Sequence, residues 1–297
     1  RLQSTHESLR TEVARLQAEL REANEQLQRS KRLAALGEMA AGIAHEGRNP
    51  LGSIRLYARM LEQDLADRPP EKQIASKIAA AVHGLDGVVG DVLSFSRELR
   101  VDPERVEAGE LLDRALEACW TVECVAVGVR VLQRDRRRAG GIAKGIRAEL
   151  RCDANLMHQA LVNIIRNALQ AMAEAPAPAD GHVLTLDAGP VRGDDGKAMF
   201  GIAVTDTGAG IADETIDRMF NPFFTTRAMG TGLGLAIVHR IVDAHGGRVV
   251  VRSRTSGPER GTTFQLLLPG ASARGSDPTR KVGPVAVRTQ SEQEARP

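Results

Sequence analysis

Two long helical patterns joined by one proline turn constrain this 297-residue chain more than any other feature. Residues 1–31 hold no Gly or Pro and are rich in Glu, Arg and Gln. Leu2, Leu9, Val13, Leu16, Leu20, Ala23 and Leu27 recur at alternating spacings of three and four, with His6 and Ser30 at the remaining seam positions. That period predicts a coiled coil over 1–31, against the alternative of one amphipathic helix packed on a globular body. The helical pattern continues through His45 to about Ala66. "DRPPEK" then turns the chain, with Pro69 and Pro70 suited to the first turn of a second helix. That helix is expected from about Glu71 to Arg100, carrying Ile74, Ile78, Val82, Leu85, Val88, Val92 and Phe95 on one stripe. Two antiparallel helices cannot bury so wide a stripe alone, and a dimer forming a four-helix bundle is the simplest solution.

The texture changes at about Val106. A helix over Ala108–Cys119 precedes strand-like "GVRVLQ" and the basic run Arg134–Arg138. A short strand near Ala148–Cys152, a helix over Asp153–Ala173 and the strands "HVLTLDA" and "AMFGIAVTDT" follow. After a glycine-rich segment, a helix over Leu233–His245 leads into the hairpin "RVVVRS" and "TTFQLLLP". The order predicts an α+β domain, a mixed sheet with helices on one face. The tail after Gly270, rich in Ser, Pro, Arg and Gln, is expected to be disordered. The expected boundaries are thus 1–31, 32–101, 102–270 and 271–297.

Aromatics make up only 3% of residues, so both cores must be built from Leu, Ile, Val and Ala. A net charge of +2 gives no pull toward nucleic acid or anionic membrane. The basic run Arg134–Arg138 lacks interleaved aromatics for base stacking and reads as a solvated loop, ahead of a docking or nucleic-acid contact. No uninterrupted apolar run approaches the roughly 20 residues that span a bilayer, and no secretory leader is expected. The chain opens at Arg1 rather than Met. The expectation is a cytoplasmic fragment, attached to a membrane only through a missing N-terminal region if at all. Cys119, Cys124 and Cys152 lack metal-ligand spacing and read as thiols in a reducing compartment.

Chemistry gathers in four places. His45 is followed by Glu46 and, one turn on, by Asn49, while Pro50 removes the hydrogen bond that would reach the Glu46 carbonyl. A carboxylate that accepts one imidazole proton leaves the other nitrogen free as a nucleophile, although a lone helical His is more often a solvated surface group. Leu36, Met39, Ile43 and Leu51 around the set imply a buried stripe beside it. Asn163 and Asn167 lie four apart, so they share a helix face, either as surface polars or as neutral oxygens for a hard cation such as Mg²⁺. In "DTGAG", Asp206 ends a strand, and Gly208 and Gly210 let the backbone turn and approach a flat ligand. That carboxylate either accepts from an exocyclic amine such as adenine's or belongs to a plain strand exit. In "MGTGLGL", Gly230, Gly232 and Gly234 free backbone amides at the start of a helix, a phosphate-binding device. The spacing matches neither the Rossmann fingerprint nor a Walker A loop.

In this order the pieces resemble the sensor histidine kinases of two-component signalling, over roughly residues 32–270. The resemblance implies a helical-hairpin dimerisation domain followed by a Bergerat-type α+β ATP-binding domain, a homodimer, and a response-regulator receiver domain as partner, with no nucleic acid. It implies that His45 is phosphorylated, with Glu46 as acid/base partner and Asn49 aligning water for phosphatase action. It makes Asn167 the Mg²⁺ ligand with Asn163 beside it, and Asp206 the adenine reader in a pocket shaped by Gly208 and Gly210. "FNPFFTTR" matches the mobile lid, with Phe220, Phe223, Thr225, Thr226 and Arg227, the last standing where many relatives have Lys. Gly230, Gly232, Leu233, Gly234 and Leu235 match the phosphate loop. One of Thr262 and Thr263 is expected to support the adenine site. The similarity is closest to kinases paired with regulators of the nitrogen-regulation type. Gly47 departs from the family, which has a branched apolar residue there; an ATP-binding signalling scaffold with reduced kinase activity is the alternative. A chaperone- or topoisomerase-type ATPase is disfavoured by the His45 set.

Overall fold

The computed structural model describes residues 50–270, apart from 66, 98, 121–127, 136–145, 147, 194–195 and 228–229. The coiled-coil seam, His45, Glu46, Gly47, Asn49, Cys124, most of the basic run and the tail after Gly270 lie outside the described residues. The chain divides into two units between Glu98 and Leu99.

In the first unit, helix α1 occupies residues 50–64 and helix α2 occupies Pro69–Ser96. α2 starts two residues earlier than expected because Pro69 fits the first helical position, where a missing N–H costs nothing. An Arg68–Glu71 pair at 2.6 Å bridges its first turn. It ends at Ser96, short of the expected Arg100, because the backbone at Arg97 is extended. Between the helices Arg55 pairs with Asp86 at 3.5 Å, and Ala58, Ala75, Val82 and Phe95 are buried. The expected stripe therefore splits. Val82 and Phe95 point into the hairpin, while Leu56, Tyr57, Met60, Leu61, Ile74, Ile78 and Leu85 are exposed. Among the described helices α2 alone is long and apolar enough to cross a membrane, although Lys77, Asp86 and Asp91 interrupt it.

The second unit begins with β1 (Glu104–Glu107), α3 (Ala108–Cys119), β2 (Arg130–Asp135) and β3 (Glu149–Cys152). Helix α4 (Ala154–Ala173), strands β4 (Val183–Arg192) and β5 (Ala198–Asp206), and a single turn α5 (Asp213–Ile216) follow. Helix α6 (Gly234–Ala244) then leads to β6 (Arg248–Arg254) and β7 (Gly261–Pro269). The main sheet has the order β2-β4-β5-β7-β6, with β2 parallel to β4 and every other pairing antiparallel. β1 and β3 form a separate antiparallel ladder. Neither β1 nor the one-turn α5 was expected, because four-residue elements carry no readable period.

Alternation along β4 and β6 turns one sheet face inward. α3, α4 and α6 cover that face. Leu111, Leu112, Leu161, Ile164, Ile165, Val238 and Ile241 from the helices meet Leu184, Leu186, Ile202, Val249 and Leu266 from the sheet, all buried. The core is aliphatic, as the scarcity of aromatics requires.

Helix α4, which runs through the middle of this core, is anchored by its N-cap residue. The Asp153 side chain accepts from the N–H groups of Asn155 (3.1 Å) and Leu156 (3.0 Å), and its other oxygen accepts from Asp102 N–H at 3.2 Å. The Asp153 N–H donates to Nε2 of His245 at 3.0 Å, while Nδ1 of His245 donates to the Ile241 carbonyl at 2.7 Å. One acidic residue thus ties the start of α4 to the end of α6. Burial by itself would raise the Asp153 carboxyl, but the three N–H bonds hold it below the ordinary value. Asp153→Ala should cost about 1–2 kcal/mol, the value of a lost helix cap. A depressed pKa gives stability above the unfolded value and loses it as pH falls. The gap between variant and wild type in urea unfolding should therefore close as the pH drops below 3.8.

Candidate functional site

Asp206 is the last residue of β5 and lies directly opposite Thr262 on β7. It is 4% exposed. Its Oδ1 accepts from Gly208 N–H at 2.8 Å and from Thr262 N–H at 3.3 Å. Among the described residues none donates to Oδ2, so one oxygen of a buried carboxylate is left to accept from something else. Burial pushes this carboxyl up to about 6, against the two N–H bonds and the charge of Arg227. The loop after it is made by two glycines. A Cβ on Gly208 would lie 2.9 Å from the Ala171 backbone, which fixes how closely the loop crosses α4. Gly210, at φ 76, is in the left-handed region with the Arg254 carbonyl where a Cβ would stand.

The facing wall is α4. Asn163 is 9% exposed, and Gly234, the first residue of α6, packs at 3.5 Å from its Oδ1 (measured to a Cβ position). Leu233 is buried in the core and Leu235 is half-buried, so their contribution to a site is their backbone. No side chain caps α6, whose first N–H groups and helix dipole favour an anion.

Between the walls runs the segment after α5. Phe220 packs on His239 with ring centroids 5.5 Å apart, and the Arg218 guanidinium sits 4.7 Å over the Phe224 ring. Phe223 is half exposed at φ 65, a strained backbone for a non-glycine residue, and its N–H donates to the Gly232 carbonyl at 3.0 Å. The Thr225 hydroxyl accepts from Arg227 N–H at 3.1 Å; Thr226 is exposed. Gly230 N–H donates to the Arg227 carbonyl at 3.2 Å. Nη1 of Arg227 donates to Oδ1 of Asn167 (3.1 Å) and to Oε1 of Gln170 (2.7 Å), and Nε lies 3.5 Å from Oε1 of Glu174. A cation therefore already rests on the oxygens of α4. That is the donor set a hard cation takes when it shares its remaining ligands with phosphates and water. Among the described residues no cluster of His, Cys, Asp and Glu forms a closed metal cage.

Two family models match this chain. Residues 35–99 match the His Kinase A (phospho-acceptor) domain, and residues 152–272 match the histidine kinase-, DNA gyrase B- and HSP90-like ATPase. The chain belongs to the sensor histidine kinases of two-component signalling. Among curated relatives, the sensor histidine kinase ZraS of Escherichia coli K12 is 32% identical over 82% of this chain and 48% of its own length. AtoS of the same strain is 33% identical over 84% of this chain and 37% of its own. The sensor protein FixL of Bradyrhizobium diazoefficiens is 33% identical over 88% and 49%. The chain thus spans about half or less of the length of these relatives. Full-length ShkA in complex with AMPPNP shares the fold, with a TM-score of 0.59 at 24% identity over 82% of this chain and 48% of that one.

In the histidine kinase ATPase unit Gly208 lies against Ala171 of α4, Gly234 packs beside Asn163, and Arg227 reaches Asn167 while its charge acts on Asp206. Of Thr262 and Thr263, it is Thr262 whose N–H reaches Asp206, while the Thr263 hydroxyl bonds Thr205 at 2.9 Å. Gln170 and Glu174 were missed, although Asn163, Asn167, Gln170 and Glu174 recur at spacings of four, three and four on one helix stripe. Ser253, whose hydroxyl meets Thr262 at 2.9 Å, had no local signal, because strand register brings them together.

A carboxyl raised from 3.8 to about 6 means that folding opposes its ionisation. Native stability is therefore lost as pH rises through that window, up to about 3 kcal/mol. Asp206→Asn, which keeps the Oδ1 acceptor, should be the more stable protein in ligand-free urea unfolding at pH 7.5. Its advantage should shrink as the pH falls from 6 toward 3.8.

Proposed function

We propose that this chain binds Mg-ATP in the cleft of its second unit, phosphorylates His45 and passes the group to an aspartate of a response-regulator receiver domain. The observation that carries this reading is the buried Asp206, with one oxygen saturated and the other open, in a chain that also has a phospho-acceptor segment spanning His45. The AMPPNP held by ShkA supports the nucleotide, since that protein shares this fold.

Asp206 Oδ2 accepts from the exocyclic amine of adenine, and Gly208 and Gly210 keep the loop flat against the base. The backbone around Gly230, Gly232 and Leu233, with the first N–H groups of α6 at Gly234 and Leu235, faces the phosphates. Asn167, with Asn163 beside it, offers oxygen to Mg²⁺, and Arg227 leaves the α4 oxygens to pair with phosphate. Thr225 and Thr226 lie on the segment that moves with it. Bound Mg-ATP supplies the transferable γ-phosphoryl group and neutralises charge in its transfer, so the task of the residues is positioning. Glu46 orients the His45 imidazole and takes its proton, and Asn49 serves the reverse reaction by aligning water.

The exposed apolar side chains of α1 and α2 support a homodimer in which two hairpins form a four-helix bundle. Leu85→Glu, at a residue 53% exposed in the single chain, should halve the mass in sedimentation equilibrium. An unchanged mass would rule out that face as the interface.

With γ-labelled ATP and Mg²⁺, wild type should acquire acid-labile, alkali-stable label that moves to a receiver domain, and His45→Gln should acquire none. Absence of label from wild type that still binds ADP would instead identify a scaffold. Labelling gained by Gly47→Ile would then trace the loss to that glycine.

A further inference from the structure

The strands β5, β7 and β6 carry a row of three polar residues. Asp206 is paired with Thr262, and Thr262 with Ser253, so their side chains lie on the same sheet face. The Ser253 hydroxyl is saturated. It accepts from Ile211 N–H at 2.7 Å, donates to the Gly261 carbonyl at 3.1 Å, and lies 2.9 Å from the Thr262 hydroxyl. The amide can only donate and the carbonyl can only accept. The single proton of Ser253 is therefore spent on Gly261, and the third bond must be donated by Thr262.

This fixes the polarity of the next group in the row. With its proton held by Ser253, the Thr262 hydroxyl has only lone pairs to offer, and it is 3% exposed beside the equally buried Asp206. Asp206 Oδ2 also only accepts. We propose that Ser253 is a positioning residue for base recognition. By taking the Thr262 proton it makes the base end of the cleft an all-acceptor surface, which receives a purine with an exocyclic amine at position 6 and opposes one with a carbonyl there. The proposal rests on the reading of Asp206 as the group that meets the base. Mismatched polar groups in a dry site are rejected more strongly than matched ones are rewarded.

ADP and IDP differ at the probed edge and share the ribose and phosphates, so their affinity ratio isolates this effect. Titration calorimetry on the full chain at pH 7.5 should show Ser253→Ala losing affinity for ADP but not for IDP. The ratio should fall by about fivefold to tenfold, the value of one hydrogen bond. Ser253→Thr, which keeps the hydroxyl, should restore it. Thr262→Val should give the same reduced ratio, and the double variant should add nothing further. Thr262→Val also leaves the Ser253 bonds to Ile211 and Gly261 intact, so it reads the ratio even where Ser253→Ala fails to fold. Equal losses for ADP and IDP would show that Ser253 only supports the loop at Ile211, and would overturn the proposal, as would an unchanged ratio. Asp206→Asn separates the two levels. If it leaves ADP affinity intact, the base reading and this inference both fall. If it weakens ADP while Ser253→Ala keeps the ratio, only this inference does.

Discussion

A carboxylate buried at the end of β5 shapes the whole second unit. Two backbone N–H groups, one from its own loop and one from β7, converge on a single oxygen of Asp206. The N–H from β7 reaches it only in the observed register, in which Asp206 faces Thr262. A slip of one residue would bring Thr263 there and turn its hydroxyl away from Thr205. The same interaction sets the loop path over α4, because Gly208 can donate to Asp206 only while it lies against Ala171. Burial raises its pKa, and among the described residues none donates to its second oxygen.

The opposite wall follows a complementary logic. α4 presents neutral oxygens at Asn167 and Gln170, with Glu174 beyond them, and a positive charge is the natural occupant of such a stripe. Arg227 takes that position from a segment that includes a strained Phe223. An oxygen accepting from a guanidinium cannot hold a divalent cation at full strength, since the two positive charges would lie within a few ångströms. In the proposed function, Mg²⁺ binding at Asn167 is therefore linked to the position of Arg227, and phosphate, which attracts both, draws the arginine off α4.

The larger elements were legible because their signals are local. The period of α4, the proline start of α2 and the glycines after β5 all act over a few residues. α3 and β7 fell within a residue of their expected limits for the same reason. What could not be read depends on pairing across the chain. β1 exists only because β3 lies beside it, and Ser253 matters only because β6 registers with β7. Gln170 and Glu174 form a middle case. Their spacing from Asn167 was visible, but nothing in a helix stripe says that an arginine 57 residues onward will fold back onto Gln170.

The two units solve the burial problem in different ways, and the difference bears on how a kinase of this kind is built. The second unit closes its own core: sheet and helices supply buried Leu, Ile and Val on both sides, and its site is formed within one chain. Among the described residues of the hairpin, Leu56 is 58%, Ile74 60% and Leu85 53% exposed. In the proposed homodimer the hairpin's stability depends on a second copy, and so on concentration. α2 accentuates this dependence. Gly84, Gly87 and Gly90 each have open space where a Cβ would stand, and each weakens the isolated helix by about 1 kcal/mol relative to Ala. In the proposed dimer, a helix with poor intrinsic propensity and an exposed apolar face takes its order from its partner.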